Sequence, residues 1–270
     1  VFPITSQKSY FLFKYNESLI NSASPLVRAE NKGVSLATKG WNKLRDSDKV
    51  YNKKIVYYIT KLLDTTPWGE DSLRSIPSSS SLLRQLKRST ESPTDVSIKD
   101  QKELLVSQVE REFGDHKDNL IDIPVFYPSS IINQEDLQAQ LTKTFDEGIR
   151  YHRKHMLITG FLVPLTLPFA LVPVVPNIPG FYFAYRFYCN FKAYLGAQHL
   201  KELMQQNHLL FNASDELDSV FEKVKSKQLK INEGVIDEIV DEFDIENARS
   251  SFLKALKQER KEIHKSKTDV

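Results

Sequence analysis

Cys189 is the only cysteine in 270 residues. This excludes an intrachain disulfide, a thiolate zinc site and a paired-thiol redox centre, and it suits a compartment without disulfide scaffolding. Glycine is also scarce, at nine residues, and no glycine-rich phosphate loop or nucleophile elbow occurs, nor does a zinc-protease helix motif. No catalytic constellation is therefore assigned, no cofactor or metal is expected, and the chain is read as a non-enzyme. An excess of either charge is missing too: 37 Lys plus Arg face 35 Asp plus Glu, a formal net charge of +2. Nothing demands the broad basic face of a nucleic-acid binder, so no nucleic-acid partner is expected. The chain opens on Val1 rather than Met, as expected of a mature form that has lost a targeting segment and equally of a chain trimmed for other reasons.

The most informative absence is local. From Met156 to Tyr185 there is no Asp, Glu, Lys, Arg or His. A helix crossing a bilayer needs about 20 predominantly apolar residues, so this run exceeds one span and falls short of two with a turn. Pro164, Pro168, Pro173, Pro176 and Pro179 punctuate it, and proline inside a helix removes a donor and crowds the preceding turn. The expected geometry is a Pro-rich hairpin. Its first leg is kinked and ends near Val172, its turn runs through Pro173, Pro176, Asn177 and Pro179, and its second leg starts near Pro179, which suits a first helical position. That second leg is aromatic and contains Arg186 and Lys192. Arg150, Arg153 and Lys154 flank the other end. Basic residues at both ends place both polar parts on one side of a membrane and favour a hairpin over a single crossing. Arg186 is the candidate polar site in the membrane, either a partner contact or a charge that extends its stem to the headgroups.

The flanks show the periodicity of a folded protein. The expected class is α+β, mostly helical, in three sequential parts. Residues 1–149 form a mixed α/β domain, 150–200 the membrane-associated hairpin, and 201–270 a small helical module. Strand character is clearest at Ser9–Tyr15 and Ile123–Pro128, the latter suited by its prolines to an edge. Asp46, Ser47 or Asp48 is expected to cap a helix whose stripe is Tyr51, Ile55, Ile59 and Leu62, broken by Pro67-Trp68-Gly69. The serine-rich stretch from Ser75 to Ser97 reads as a mobile loop. Asn133, with Glu135 and Asp136 in the next turn, marks a helix start continued by Leu137, Leu141, Phe145 and Ile149. Ser214 caps a later helix, and two more follow on Val235 to Phe243 and Ala248 to Ile263.

Other candidates have bland readings. His152 and His155, three apart on a helix, lack a third ligand and read as basic residues at a headgroup surface. His199 and His208 are weaker still. The acidic cluster Glu233 to Glu246 lacks calcium-loop spacing and reads as solvated helix faces. Asn16-Glu17-Ser18 and Asn212-Ala213-Ser214 match glycosylation acceptors, which matter only in a secretory protein.

Leu165-Thr166-Leu167-Pro168, then Val172 to Pro179, Tyr185-Arg186 and Gly196 to Leu200 give a proline ladder followed by an aromatic helix. In these motifs the chain resembles the mitochondrial potassium/proton exchange-related family and looks like a fungal member of it, with the match centred on 150–200. The resemblance implies a mitochondrial inner-membrane protein involved in potassium/proton exchange, with a transit peptide whose removal would account for Val1. It carries over no catalytic residue. One hairpin cannot enclose an ion path, so the expected role is an accessory or regulatory subunit that acts on matrix ion and volume homeostasis. Its expected partners are the lipid bilayer and either further copies of itself or other inner-membrane proteins. Potassium and protons are the candidate transported ions, and the polar parts face the matrix. The alternative is a membrane-anchored scaffold with no part in ion movement.

Overall fold

The computed structural model describes residues 1–14, 20–21, 24–85, 103–105, 122–168, 178–224 and 228–268. In chain order the elements are β1 (Phe2–Pro3), β2 (Ser9–Tyr10), α1 (Pro25–Arg45), α2 (Val50–Leu63), α3 (Trp68–Arg74), β3 (Leu83–Gln85), β4 (Glu103–Leu105) and β5 (Ile123–Tyr127). There follow α4 (Gln134–Leu165), α5 (Ile178–Gln205), β6 (Leu209–Ala213), α6 (Asp215–Phe221), α7 (Glu233–Phe243), a 3-10 turn at Glu246–Ala248 and α8 (Arg249–Thr268). The chain is mostly helical, with small two-stranded sheets.

Two compact units form, and they do not follow the sequential division 1–149, 150–200 and 201–270. One unit joins Val1–Phe13, Pro67–Ile76 and Ile123–Val270; the other comprises Lys14–Thr66 and Pro77–Asp122. The physical reason is burial. Phe2, Ile4, Tyr10 and Trp68, distant in sequence, share one core with Phe221, Ile236, Ile239 and Phe252 of the C-terminal helices. A second core gathers Phe11, Leu73 and Ile76 with Leu137, Leu141 and Phe145 of α4 and Ala193, Ala197 and Leu203 of α5.

In this larger unit α4 and α5 lie antiparallel, as the pairs Asp146–Lys201 (2.6 Å) and His152–Asn190 (2.9 Å) show. α4 begins where the sequence indicates: the Asn133 side chain accepts from the Asp136 N–H at 2.7 Å, with Glu135 and Asp136 facing the positive end of the helix dipole. Below the helices, β5 pairs with β6 in parallel, Ile123 opposite Leu209 and Tyr127 opposite Ala213. Parallel strands require a crossover, and the α4–α5 hairpin is that crossover. The strand expected at Ile123 is thus present, while that expected over Ser9–Tyr15 shortens to Ser9–Tyr10, paired with β1, and Tyr15 lies outside the described residues. Ser214 caps α6 by accepting from the Leu217 N–H at 3.3 Å. α7 and α8 bury Val235, Ile236, Phe252 and Leu256 as their spacing indicates. The acidic residues of α7 lie on its solvated side, where Asp237 meets Arg249 at 2.6 Å.

The smaller unit holds α1 packed with α2, and β3 antiparallel to β4. α2 forms as expected, but its cap differs. Asp46 closes α1 instead, Lys49 occupies the α2 N-cap position without a side-chain bond, and Ser47 Oγ accepts from Asn52 Nδ2 at 2.7 Å. Tyr51 and Leu62 of the expected stripe are exposed and no α2 side chain is fully buried. The loop expected from Ser75 to Ser97 is described only as far as Gln85, where residues 75–81 are irregular and Leu83–Gln85 is a strand. Ser78 and Ser81 are buried and bonded to each other at 2.6 Å, and β3 follows; residues 86–97 lie outside the described residues. So does the triplet Asn16-Glu17-Ser18.

The membrane hairpin expected over 150–200 finds no spanning helix to support it: among the described residues, no helix is long and apolar enough to cross a membrane. Prolines and charges divide the uncharged run. α4 has only Met156–Leu165 beyond its basic segment and ends one residue after Pro164. α5 has only Ile178–Tyr185 before Arg186. At 1.5 Å per residue these legs reach about 15 Å and about 12 Å, against a hydrocarbon core of about 30 Å. Pro179 is the second residue of α5, in keeping with its expected place. Pro168 ends the described part of the first leg, and Pro173, Pro176 and Asn177 lie outside the described residues.

Candidate functional site

Two features stand out on the hairpin: a buried charged network at its base and an exposed apolar end. The network is organised by α3, a helix of seven residues. Pro67 precedes it, and Glu70 and Asp71 in its first turn favour that end of the helix dipole. Its residues separate by side. Trp68 Nε1 donates to Glu259 of α8 at 2.8 Å, and Lys254 of α8 donates to Asp71 at 2.9 Å. Glu70 and Arg74 reach α5. Arg186 grips Glu70 with two parallel bonds, Nη1 to Oε1 at 2.5 Å and Nη2 to Oε2 at 2.8 Å. Arg74 donates to Tyr185 Oη at 3.2 Å and to Cys189 Sγ at 3.1 Å.

Relative exposure is 1% for Glu70 and 8% for Arg186, so each charge has left water and depends on the other. The network continues inward. The Arg186 carbonyl accepts from Asn190 Nδ2 at 2.7 Å, and Asn190 Oδ1 meets His152 Nδ1 at 2.9 Å. Burial lowers the His152 pKa below its ordinary value, against the opposing effects of the Asn190 bond and of Glu70. The imidazole is therefore neutral near pH 7, and its Nδ1–H donates to Asn190. Burial works against the charged guanidinium of Arg74, yet Cys189, Tyr185 and Asp71 hold its pKa above the ordinary value.

This arrangement replaces the expected role of Arg186. It faces into the protein and pairs with an acid 116 residues away rather than extending to headgroups. His152 and His155 are not brought together as ligands: His152 is buried on Asn190, while His155 Nδ1 contacts the Tyr151 carbonyl. Among the described residues, no group of three or more His, Cys, Asp or Glu is placed to hold a metal. His199 and His208 are buried within the unit. Of the basic residues, Arg150, Arg153 and Lys154 are exposed and Lys192 is half-buried. Sequence reasoning passed over Glu70 and Arg74. Pro67 followed by two acids was the available signal for a helix start, but Pro67-Trp68-Gly69 read as a breaker.

Beyond the network the hairpin turns its apolar side chains outward. Phe161 is 69% and Phe181 70% exposed, and Leu157, Leu165 and Leu167 are similarly open. Such a patch marks a surface that meets lipid or another protein.

Residues 1–204 match the family described as mitochondrial K+–H+ exchange-related. An uncharacterized protein of Saccharomyces cerevisiae is 34% identical over 284 residues, an alignment covering 99% of this chain and 86% of that protein. An uncharacterized protein of Schizosaccharomyces pombe is 28% identical over 192 residues, covering 71% of this chain and 70% of its own length. No solved structure matches the chain. The proline ladder, the aromatic helix and the matched residues agree: this chain belongs to the mitochondrial K+–H+ exchange-related family.

Proposed function

We propose that the protein contributes to or regulates potassium–proton exchange, and through it matrix ion and volume homeostasis, from one face of the mitochondrial inner membrane. The end of the α4–α5 hairpin dips into one leaflet and both compact units stay on the matrix side. The observation that carries this reading is the exposed apolar end of the hairpin, with Phe161, Leu165 and Phe181 open to the surroundings. Burying one such side chain is worth about 1.5–3 kcal/mol, so a handful offsets the cost of ordering at a surface. A leg of about 15 Å suits one leaflet of a core about 30 Å thick.

The same length argues for an accessory subunit rather than a complete antiporter. A hairpin confined to one leaflet encloses no path for an ion, and its uncharged legs offer no titratable carboxylate or imidazole to carry a proton. The exchange function then belongs to an assembly in which this chain is one component, with further copies or other membrane proteins as partners.

Potassium-acetate-driven swelling of isolated mitochondria, in cells lacking the gene and every other family member, tests the role in exchange. Slowed swelling that the intact gene restores supports it. Normal swelling would sink it and leave a membrane-attached scaffold. Alkaline carbonate extraction tests the membrane part separately: retention in the pellet is expected, and release into the supernatant would overturn insertion.

A further inference from the structure

One outward stripe of α4 changes character at a single level. Arg150 and Lys154 are exposed on it, with Arg153 beside them, and spacings of three and four carry the same stripe on to Leu157, Phe161 and Leu165, exposed as well. The antiparallel register set by His152 and Asn190 brings Lys192 of α5 to this basic level. No Asp or Glu occurs between Glu147 and Glu202. Glu70, which reaches the hairpin from α3, is already bonded to Arg186. Between Arg150 and Lys201 the sequence therefore carries no acid, and the nearest one on α4 is Glu147, one turn before Arg150.

The spacing between the two zones has a physical counterpart. Lys154 to Leu165 is eleven residues, about 16 Å of helix, close to half of a hydrocarbon core about 30 Å thick. When Leu165 reaches the bilayer midplane, Arg150, Arg153 and Lys154 lie at the level of the lipid phosphates. Tyr151, 39% exposed, sits at the same level, where tyrosine is favoured.

We infer that Arg150, Arg153 and Lys154 bind the headgroups of acidic phospholipids, so that the hairpin selects a negatively charged leaflet as well as entering an apolar one. This rests on the proposed insertion of the hairpin end and adds a lipid class to it. Each Lys or Arg near a negatively charged surface strengthens binding about fivefold, so removing three weakens it roughly 100-fold.

The test uses the full chain and flotation with two kinds of vesicle, one of phosphatidylcholine alone and one with phosphatidylglycerol added. The wild type is expected to bind the acidic vesicles more tightly, with salt reducing the difference. The triple variant Arg150→Gln, Arg153→Gln, Lys154→Gln should lose that preference while melting like the wild type, since all three side chains are exposed. Equal binding of the wild type to both vesicles overturns the inference and leaves insertion standing. An undiminished preference in the triple variant also overturns it. Binding to neither vesicle overturns insertion and the inference together.

Discussion

Arg186 and Glu70 meet across α5 and α3 as a two-pronged ion pair, with bonds of 2.5 and 2.8 Å in a site from which water is excluded. The pair joins the hairpin to a short helix that is itself fastened to α8 through Trp68 and Asp71. The character of α5 changes near it: Phe181 and Tyr185 before Arg186 are exposed, whereas Cys189, Ala193 and Ala197 after it are buried.

Glu70→Gln should destabilise the larger unit by about 3–5 kcal/mol, because it leaves the Arg186 charge buried without its partner. The double change Glu70→Leu, Arg186→Met should cost far less than the single one, since no uncompensated charge remains. Urea unfolding followed by circular dichroism measures both. A Glu70→Gln cost below about 1 kcal/mol would mean the pair is hydrated.

The glycines of α3, α4 and α5 separate tight packing from open space. A Cβ at position 196 would lie 2.2 Å from the Leu73 carbonyl oxygen, which is backbone and cannot turn aside. At position 148 the close atom is the Leu73 Cδ1 at 2.7 Å, the end of a flexible side chain, and at position 69 nothing lies within 4 Å. Gly196→Ala is therefore expected to cost about 1–3 kcal/mol, Gly148→Ala less, and Gly69→Ala to stabilise by up to about 1 kcal/mol through helix propensity. Thermal melts of the three variants give the order; an undisturbed Gly196→Ala would contradict the close approach of α3 to α5.

His152 adds a pH dependence with a definite sign. Burial lowers its pKa in the folded protein, whereas the unfolded chain titrates near about 6.5. Above that value both states are neutral and the contribution is complete. As the pH falls below about 6.5 the unfolded chain takes up the proton first, so stability declines until the folded pKa is passed. His152→Gln should lose less stability than the wild type between about pH 7 and pH 5. Parallel slopes in denaturant titrations across that window would show that His152 is not the group responsible.

The exposed end of the hairpin should accept charge without harm to the fold. Phe161→Glu with Phe181→Glu is expected to shift folding stability by no more than about 0.5 kcal/mol per site, since neither side chain is packed inside the unit. The same double variant should leave the membrane pellet in carbonate extraction. A large drop in melting temperature would place these phenylalanines in a core instead.

Residues near one another in sequence settled a good part of this protein. Asn133 with Glu135 and Asp136 starts α4, Ser214 starts α6, Pro179 opens α5 at its second residue, and the stripes of α7 and α8 bury the side chains their spacing selects. Capping, proline geometry and periodicity act over one or two turns, and the sequence displays them directly. The uncharged run from Met156 to Tyr185 likewise displays an apolar, proline-divided hairpin. The tertiary structure decided the rest. Trp68–Arg74 is too short to show a periodicity, and the acid that neutralises Arg186 lies 116 residues away in sequence. Whether an arginine beside an apolar run faces lipid or a buried carboxylate depends on which helix packs against it. That choice is made by burial across the whole unit, where the cost of desolvating a charge is met only if a partner from a distant segment arrives at the same place.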